Sequence, residues 1–162
     1  MHPLLLGKLL VLLSIANGAP VLVKKVCGQR CSWPIDGSLN FFDGSPLFGP
    51  SKTIRGVLVS VAATTAGASL LGLEMTVGAL VGGMAMAGDL FSSFVKRRLR
   101  FRPSTRATGL DQIPESLFPL IACRGLLHLT MLDILAGVTV FLIGEVFLSR
   151  IFYRLGIRDQ PY

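Results

Sequence analysis

The sequence predicts an all-α, polytopic membrane protein with about five transmembrane helices, on three observations. Mean hydropathy is +0.64 and 51% of the 162 residues are hydrophobic, well above the needs of a water-soluble domain of this length. The apolar residues gather into five segments, 3–23, 56–73, 75–95, 113–127 and 130–152. Only 15% of residues are charged, and most of these lie between the segments or at their ends. A single membrane-embedded domain over 1–162 follows, with long loops at 24–55 and 96–112.

Segment 3–23 has an apolar core followed by small residues, as in a signal peptide, but Lys24 and Lys25 follow that core instead of preceding it, so a retained helix is expected. Asn17, in ANGAP near its end, would either hydrogen-bond within a lipid or nucleotide cavity or serve helix packing. The loop after it holds two Asp-Gly pairs, Asp36-Gly37 and Asp43-Gly44, with Pro46, Gly49 and Pro50, which predict a bent, well-determined path. Its end, SKTIRG, offers the Ser51 hydroxyl, the Lys52 ammonium, the Thr53 hydroxyl and the Arg55 guanidinium within five positions at the start of a helix. That set suits multidentate phosphate binding. It is not a P-loop, because Pro50 and Ser51 separate Gly49 from Lys52.

Segments 56–73 and 113–127 fall near or below the roughly 20 residues that cross a hydrocarbon core, so tilt or shelter by neighbours is expected. Ala63 and Gly67 in the second segment and Gly78 and Gly82 in the third are small-xxx-small pairs, predicting close approach of these two helices. Near the end of the third, GDLFSSFVKRR places Asp89, Ser92, Ser93 and Lys96 at i, i+3, i+4 and i+7, on one helix face. An ionisable group inside such a segment marks a functional or cavity-lining position by default; the bland alternative is a structural Asp paired to a basic neighbour. Lys96, Arg97 and Arg98 could equally be a positive-inside anchor. Asp111 and Glu115 precede or open the fourth segment, where helix capping competes with a catalytic role. Arg124 and Asp133 are expected to pair across the last two segments, and Glu145 has no assigned role.

Of sixteen basic residues, five lie in the first long loop, six follow the third segment and three end the chain, while the remaining linkers have neither Lys nor Arg. The positive-inside bias therefore puts both long loops and the C-terminus in the cytoplasm and the N-terminus outside. The net charge of +7 suits phosphates or anionic headgroups. Nucleic acid is excluded as a partner, since the aromatics sit inside apolar runs and form no reading motif. Cys27, Cys31 and Cys123 lack a metal or redox spacing and are expected to be incidental. Small residues on short helices admit a homodimer.

DGSPLFGPSKTIRG, the GD…S…KR block at Gly88 to Arg97, Asp111, ANGAPVLVKK, WPID and the ending LGIRDQPY together resemble the CDP-archaeol synthase family, compact relatives of the CDP-diacylglycerol synthases. The resemblance implies a five-helix membrane enzyme, and with the positive-inside bias it is expected in the cell inner (cytoplasmic) membrane with its active site facing the cytoplasm. It implies cytidylyl transfer from CTP to a membrane lipid phosphate, archaeal-type ether lipid or phosphatidate-like, with magnesium (Mg2+) as cofactor and release of pyrophosphate. Carried over by position, Asp89, Asp111, Lys52 and Lys96 are the expected catalytic residues, with Asp89 and Asp111 as metal ligands. Asn17, Asp43, Ser51, Lys52, Thr53, Arg55, Ser93, Lys96 and Arg97 are expected to bind substrate. Archaeal relatives commonly place a second acid three residues after the first; here that position is Pro114, and Glu115 is the substitute or only one acid is needed. Two rival classes remain. The CDP-alcohol phosphotransferases require a run of spaced acids that this chain lacks, and a non-enzymatic transport or scaffold subunit leaves SKTIRG without a role.

Overall fold

Helix α1 (Pro3–Cys27) starts with proline in its first turn, where the missing N–H costs nothing, and runs through Pro20 to end beyond the Lys24-Lys25 pair. The computed structural model describes residues 2–28, 32–101, 107 and 109–154, apart from the side chains of 148–150 and 152–154. Cys31, Arg30 and the ending LGIRDQPY lie outside the described residues. After α1 come α2 (Ile54–Leu70), α3 (Met75–Arg98), α4 (Gln112–Ala122), the single turn α5 (Arg124–Leu127) and α6 (Met131–Arg154). Among the described residues the remaining regular structure is two isolated β-bridges in the first long loop, so the chain is all-helical.

Among the described residues two helices, α1 and α3, are long and apolar enough to cross a membrane, and α2 is a shorter apolar helix. The fourth predicted segment divides at Cys123: its first part, α4, has 11 residues and reaches about 16 Å, half of the roughly 30 Å hydrocarbon core. His128, in the left-handed region at φ 51, ends the α5 turn. Shelter for α4 comes from α3 on one side and α6 on the other.

Lipid tails are as apolar as leucine, so helices in a bilayer hold together chiefly by close packing. Glycine supplies it here. A Cβ on Gly78 would lie 2.5 Å from the Thr64 carbonyl oxygen and 2.6 Å from the Ala68 Cβ, and Gly82 is similarly pressed against Thr64 and Val61. These contacts join α3 to α2 as the spacing predicts. Gly67 instead faces α1, where a Cβ would be 3.0 Å from Ile15 Cδ1 and 3.2 Å from Leu12 Cδ2. The two small-residue pairs therefore serve different interfaces: both glycines of α3 face α2, while Gly67 takes α1.

The expected Arg124–Asp133 pair does not form. Arg124 is exposed, whereas the fully buried Asp133 carboxylate accepts the His2 N–H at 3.0 Å, the Thr130 N–H at 3.0 Å and the Thr130 hydroxyl at 2.7 Å. Asp133 thereby caps the start of α6 and ties it to the start of α1, so its carboxylate is already supplied with donors and Arg124 stays at the surface.

Candidate active site

The first long loop is shaped from its ends inward. Ile35 N–H donates to the Lys52 carbonyl (2.8 Å) and Ile54 N–H to the Trp33 carbonyl (3.1 Å), so the two ends of the loop lie antiparallel and deliver Lys52 to the start of α2. Buried Asp36 accepts the backbone N–H groups of Ser38, Phe48 and Gly49, each at 3.0 Å, folding the middle of the loop around one carboxylate. Burial acts to raise the Asp36 pKa, but the donated N–H groups of Gly49, Phe48 and Ser38 outweigh it and hold the carboxyl below its ordinary range. Thr53 then caps α2 by accepting the Gly56 N–H at 3.1 Å.

Lys52, so placed, meets Asp89 of α3 with Nζ 2.5 Å from a carboxylate oxygen. Toward the C-terminal end of α3, Lys96 pairs with Asp111 at 2.6 Å. Between these pairs α4 closes on α3: a Cβ on Gly88 would overlap the Pro114 carbonyl, which brings Glu115 alongside Asp89, within hydrogen-bonding reach. Glu115 is oriented from α1 by Asn17, whose Nδ2 donates to its Oε2 at 2.8 Å. Asp89 therefore has Glu115, the further acid that the sequence offered, beside it, while Asp111, the other expected metal ligand, pairs with Lys96. Among the described residues no three Asp, Glu, His or Cys side chains gather as a metal cluster.

These groups line an open cavity of about 650 Å³. Asn17, Ser51, Lys52, Thr53, Arg55, Asp89, Ser93, Lys96, Arg97, Asp111 and Glu115 all line it, so the residues singled out from four separate stretches of sequence share one space. Asp43 does not line it. That carboxylate lies 3.1 Å from Arg98 Nη1, and the same guanidinium donates to the Pro46 carbonyl at 2.8 Å and stacks 4.6 Å and 4.9 Å from the ring centroids of Phe41 and Phe94. Asp43 and Arg98 therefore clip the loop to α3, and Asp43 braces the site from outside. Ser92, on the polar face predicted for α3, turns back to the Asp89 carbonyl at 2.9 Å.

Sequence reasoning did not assign Lys24 or Glu145 to the cavity, though both line it. Glu145 was recognisable as an acid within an apolar helix, but its facing depends on the rotation of α6. Asp36 was visible as a turn residue only; its three accepted N–H groups come from positions up to 13 residues away.

The family model described as CarS-like CDP-archaeol synthase matches residues 3–162. The chain belongs to the CDP-archaeol synthase family. Curated relatives of that name include one from Sulfurisphaera tokodaii, 34% identical, with the alignment covering 91% of this chain and 89% of the relative. Another, from Pyrobaculum calidifontis, is 31% identical and covered to 91% on both sides. A solved structure of an intramembrane enzyme for archaeal membrane lipid biosynthesis matches with a TM-score of 0.72 at 27% identity, over 86% of this chain and 91% of that one. In this CDP-archaeol synthase family member the backbone at Pro114 packs on Gly88, with Glu115 the next residue.

Proposed function

We propose that this chain transfers the cytidylyl group of CTP to the phosphate of a membrane ether lipid, releasing pyrophosphate, at a magnesium-assisted site on the cytoplasmic side of the cell membrane. The observation that carries the reading is the cavity itself. It gathers Lys52, Arg55, Lys96 and Arg97 with Asp89, Asp111 and Glu115, all at the end of the bundle where the loop 32–53 meets α3 and α4. Membership of the family supports a CTP-dependent lipid-phosphate cytidylyltransferase.

In the reaction an oxygen of the lipid phosphate attacks the α-phosphorus of CTP while the bond from that phosphorus to the oxygen bridging to the β-phosphate breaks; pyrophosphate departs with the electron pair. The attacking oxygen is already anionic, so no general base is required, and the obstacle is repulsion between two phosphates. Lys52, Arg55, Lys96 and Arg97 lower it by neutralising phosphate oxygens, with the guanidinium groups fixing orientation through paired donors. Two carboxylates side by side repel unless a proton or cation lies with them, and Asp89 with Glu115 forms such a couple. They fit magnesium, which takes one or two carboxylates along with substrate phosphate oxygens and, when bound, offsets phosphate charge. Asn17 fixes the Glu115 carboxylate for that role, and Lys52 balances the Asp89 charge until substrate arrives.

The test is incubation of the purified protein with CTP labelled at the α-phosphate, magnesium and a panel of lipid phosphates. Label is expected to enter a CDP-lipid with ether-linked substrates, and Asp89→Asn is expected to lower turnover at least about a hundredfold without shifting the thermal transition. Wild-type turnover retained in Asp89→Asn would remove the metal role, and absence of any CDP-lipid across the panel would remove the reading.

A further inference from the structure

Arg97 is 5% exposed, its Nε has no hydrogen-bond partner, and it stands in the wall of two cavities. The first is the active-site cavity. The second is a smaller cleft between Gly44–Pro46 of the loop and Arg100–Phe101 just past α3. The Asp43 charge in that cleft is matched by Arg98 at 3.1 Å, and the further cations of its wall are Arg97, which also feels the Asp111 carboxylate, and Arg100.

Arg100 occupies an unusual backbone position. Helix α3 ends with Phe101 N–H donating to the Lys96 carbonyl (3.0 Å) and Arg100 N–H to the Arg97 carbonyl (3.1 Å), a pattern that puts residue 100 in the left-handed region, at φ 60. Glycine is the residue that adopts this conformation without strain. A charged side chain there accepts strain at the rim of a cleft whose wall includes the buried Arg97 guanidinium, itself anchored by Nη1 donating to the Phe101 carbonyl at 2.6 Å, and such strain is found where function offsets it. A buried, unpartnered Nε is likewise a donor prepared for an acceptor that the protein itself does not supply.

We infer that this cleft is a second phosphate-oxyanion subsite, receiving the pyrophosphate released in the main cavity, with Arg97 common to both. The inference rests on the cytidylyl-transfer reading for the identity of the anion. The same chemistry could come from an anionic lipid headgroup, since the cleft lies beside the first residues past a membrane helix, and the test separates the two.

Binding of radiolabelled pyrophosphate to the purified full-length protein in neutral detergent, without CTP, is compared for wild type, Arg100→Gly and Arg100→Lys. Glycine at this position relaxes the left-handed backbone, so the fold is retained while the charge is lost. Affinity is expected to fall about fivefold in Arg100→Gly, the scale of one partly exposed charge pair, and to recover in Arg100→Lys. The constant for product inhibition by pyrophosphate is expected to rise by more than the KM for CTP. Equal pyrophosphate affinity in wild type and Arg100→Gly overturns the subsite. So does a change confined to the response of activity to phosphatidylglycerol in vesicles, which would assign the cleft to headgroups. Arg100-dependent pyrophosphate binding in a protein that makes no CDP-lipid would keep the subsite and overturn the transfer reading instead.

Discussion

The loop at 32–53 buries little apolar surface of its own, leaving Trp33, Leu39 and Phe42 exposed, so its path rests on single polar side chains. Asp36 does most of this, because an ionised carboxylate accepting three N–H groups makes charge-assisted bonds that an amide cannot match. Asp36→Asn is expected to destabilise the loop by about 2 kcal/mol. The consequence for pH has a definite sign. The folded-state pKa of Asp36 lies below the unfolded value, so the stabilisation is complete above the ordinary carboxylate range and is lost as pH falls through the lower, folded-state pKa. Between the two values the unfolded loop binds more protons than the folded one, and stability rises with pH. Trp33, the single tryptophan, sits in the loop and reports on it. An acid titration of its fluorescence should show a transition below the usual carboxylate pKa in wild type; in Asp36→Asn that transition should be missing and the loosened signal present already at neutral pH. A transition of equal size and position in both would show that Asp36 does not hold the loop.

At the scale of helices, the site depends on how closely α4 approaches α3. The separation is set at Gly88, since any Cβ there would overlap the Pro114 carbonyl and crowd the Glu115 nitrogen. One methyl group therefore tests whether the Asp89–Glu115 couple matters. Gly88→Ala is expected to push the two helices apart, lower stability by about 1–3 kcal/mol and reduce turnover far more than that loss alone would. Gly83, five residues earlier on the same helix, is the matched control, because a Cβ there meets nothing within 4 Å. Gly83→Ala should leave turnover intact and stabilise α3 by up to about 1 kcal/mol through helix propensity. Thermal unfolding and turnover of the two variants, measured side by side, decide the point; equal behaviour would mean that helix spacing at Gly88 is not critical.

At the scale of the whole molecule, what could be read from sequence was whatever depends on local spacing. Apolar runs lie within a few residues of α1, α2, α3 and α6, while the fourth run divides at Cys123, and the polar face of α3 holds Asp89, Ser93 and Lys96 together. What could not be read was how each helix is rotated and which partner a side chain finds across an interface. Asp111 and Glu115 both precede or open the fourth segment, and the Gly88–Pro114 contact sets Glu115 beside Asp89 while Asp111 pairs with Lys96. Asp43 lies in the most distinctive stretch of the chain yet turns to Arg98, and Asp133 prefers the start of α1 to Arg124. The orientation in the bilayer is a different kind of inference, since it rests on basic residues acting collectively. The structure puts the charged cavity at one end, and the His2–Asp133–Thr130 junction joins the starts of α1 and α6, away from the site. Positive-inside placement then predicts the cavity end in the cytoplasm. Among the described residues Cys27 is free and exposed at the cavity end of α1 and Cys123 is buried, and Cys31 follows Cys27 by four positions in the same sequence loop, so labelling from one side is expected. A membrane-impermeant maleimide should label wild-type protein in inside-out vesicles and leave it unlabelled in right-side-out ones. A Glu74→Cys variant with the native cysteines replaced should show the reverse, because residue 74 joins α2 to α3 at the opposite end. Labelling of Cys27 from outside would put the proposed phosphate-binding groups on the face that has no CTP, which no rearrangement of the site residues could reconcile with cytidylyl transfer.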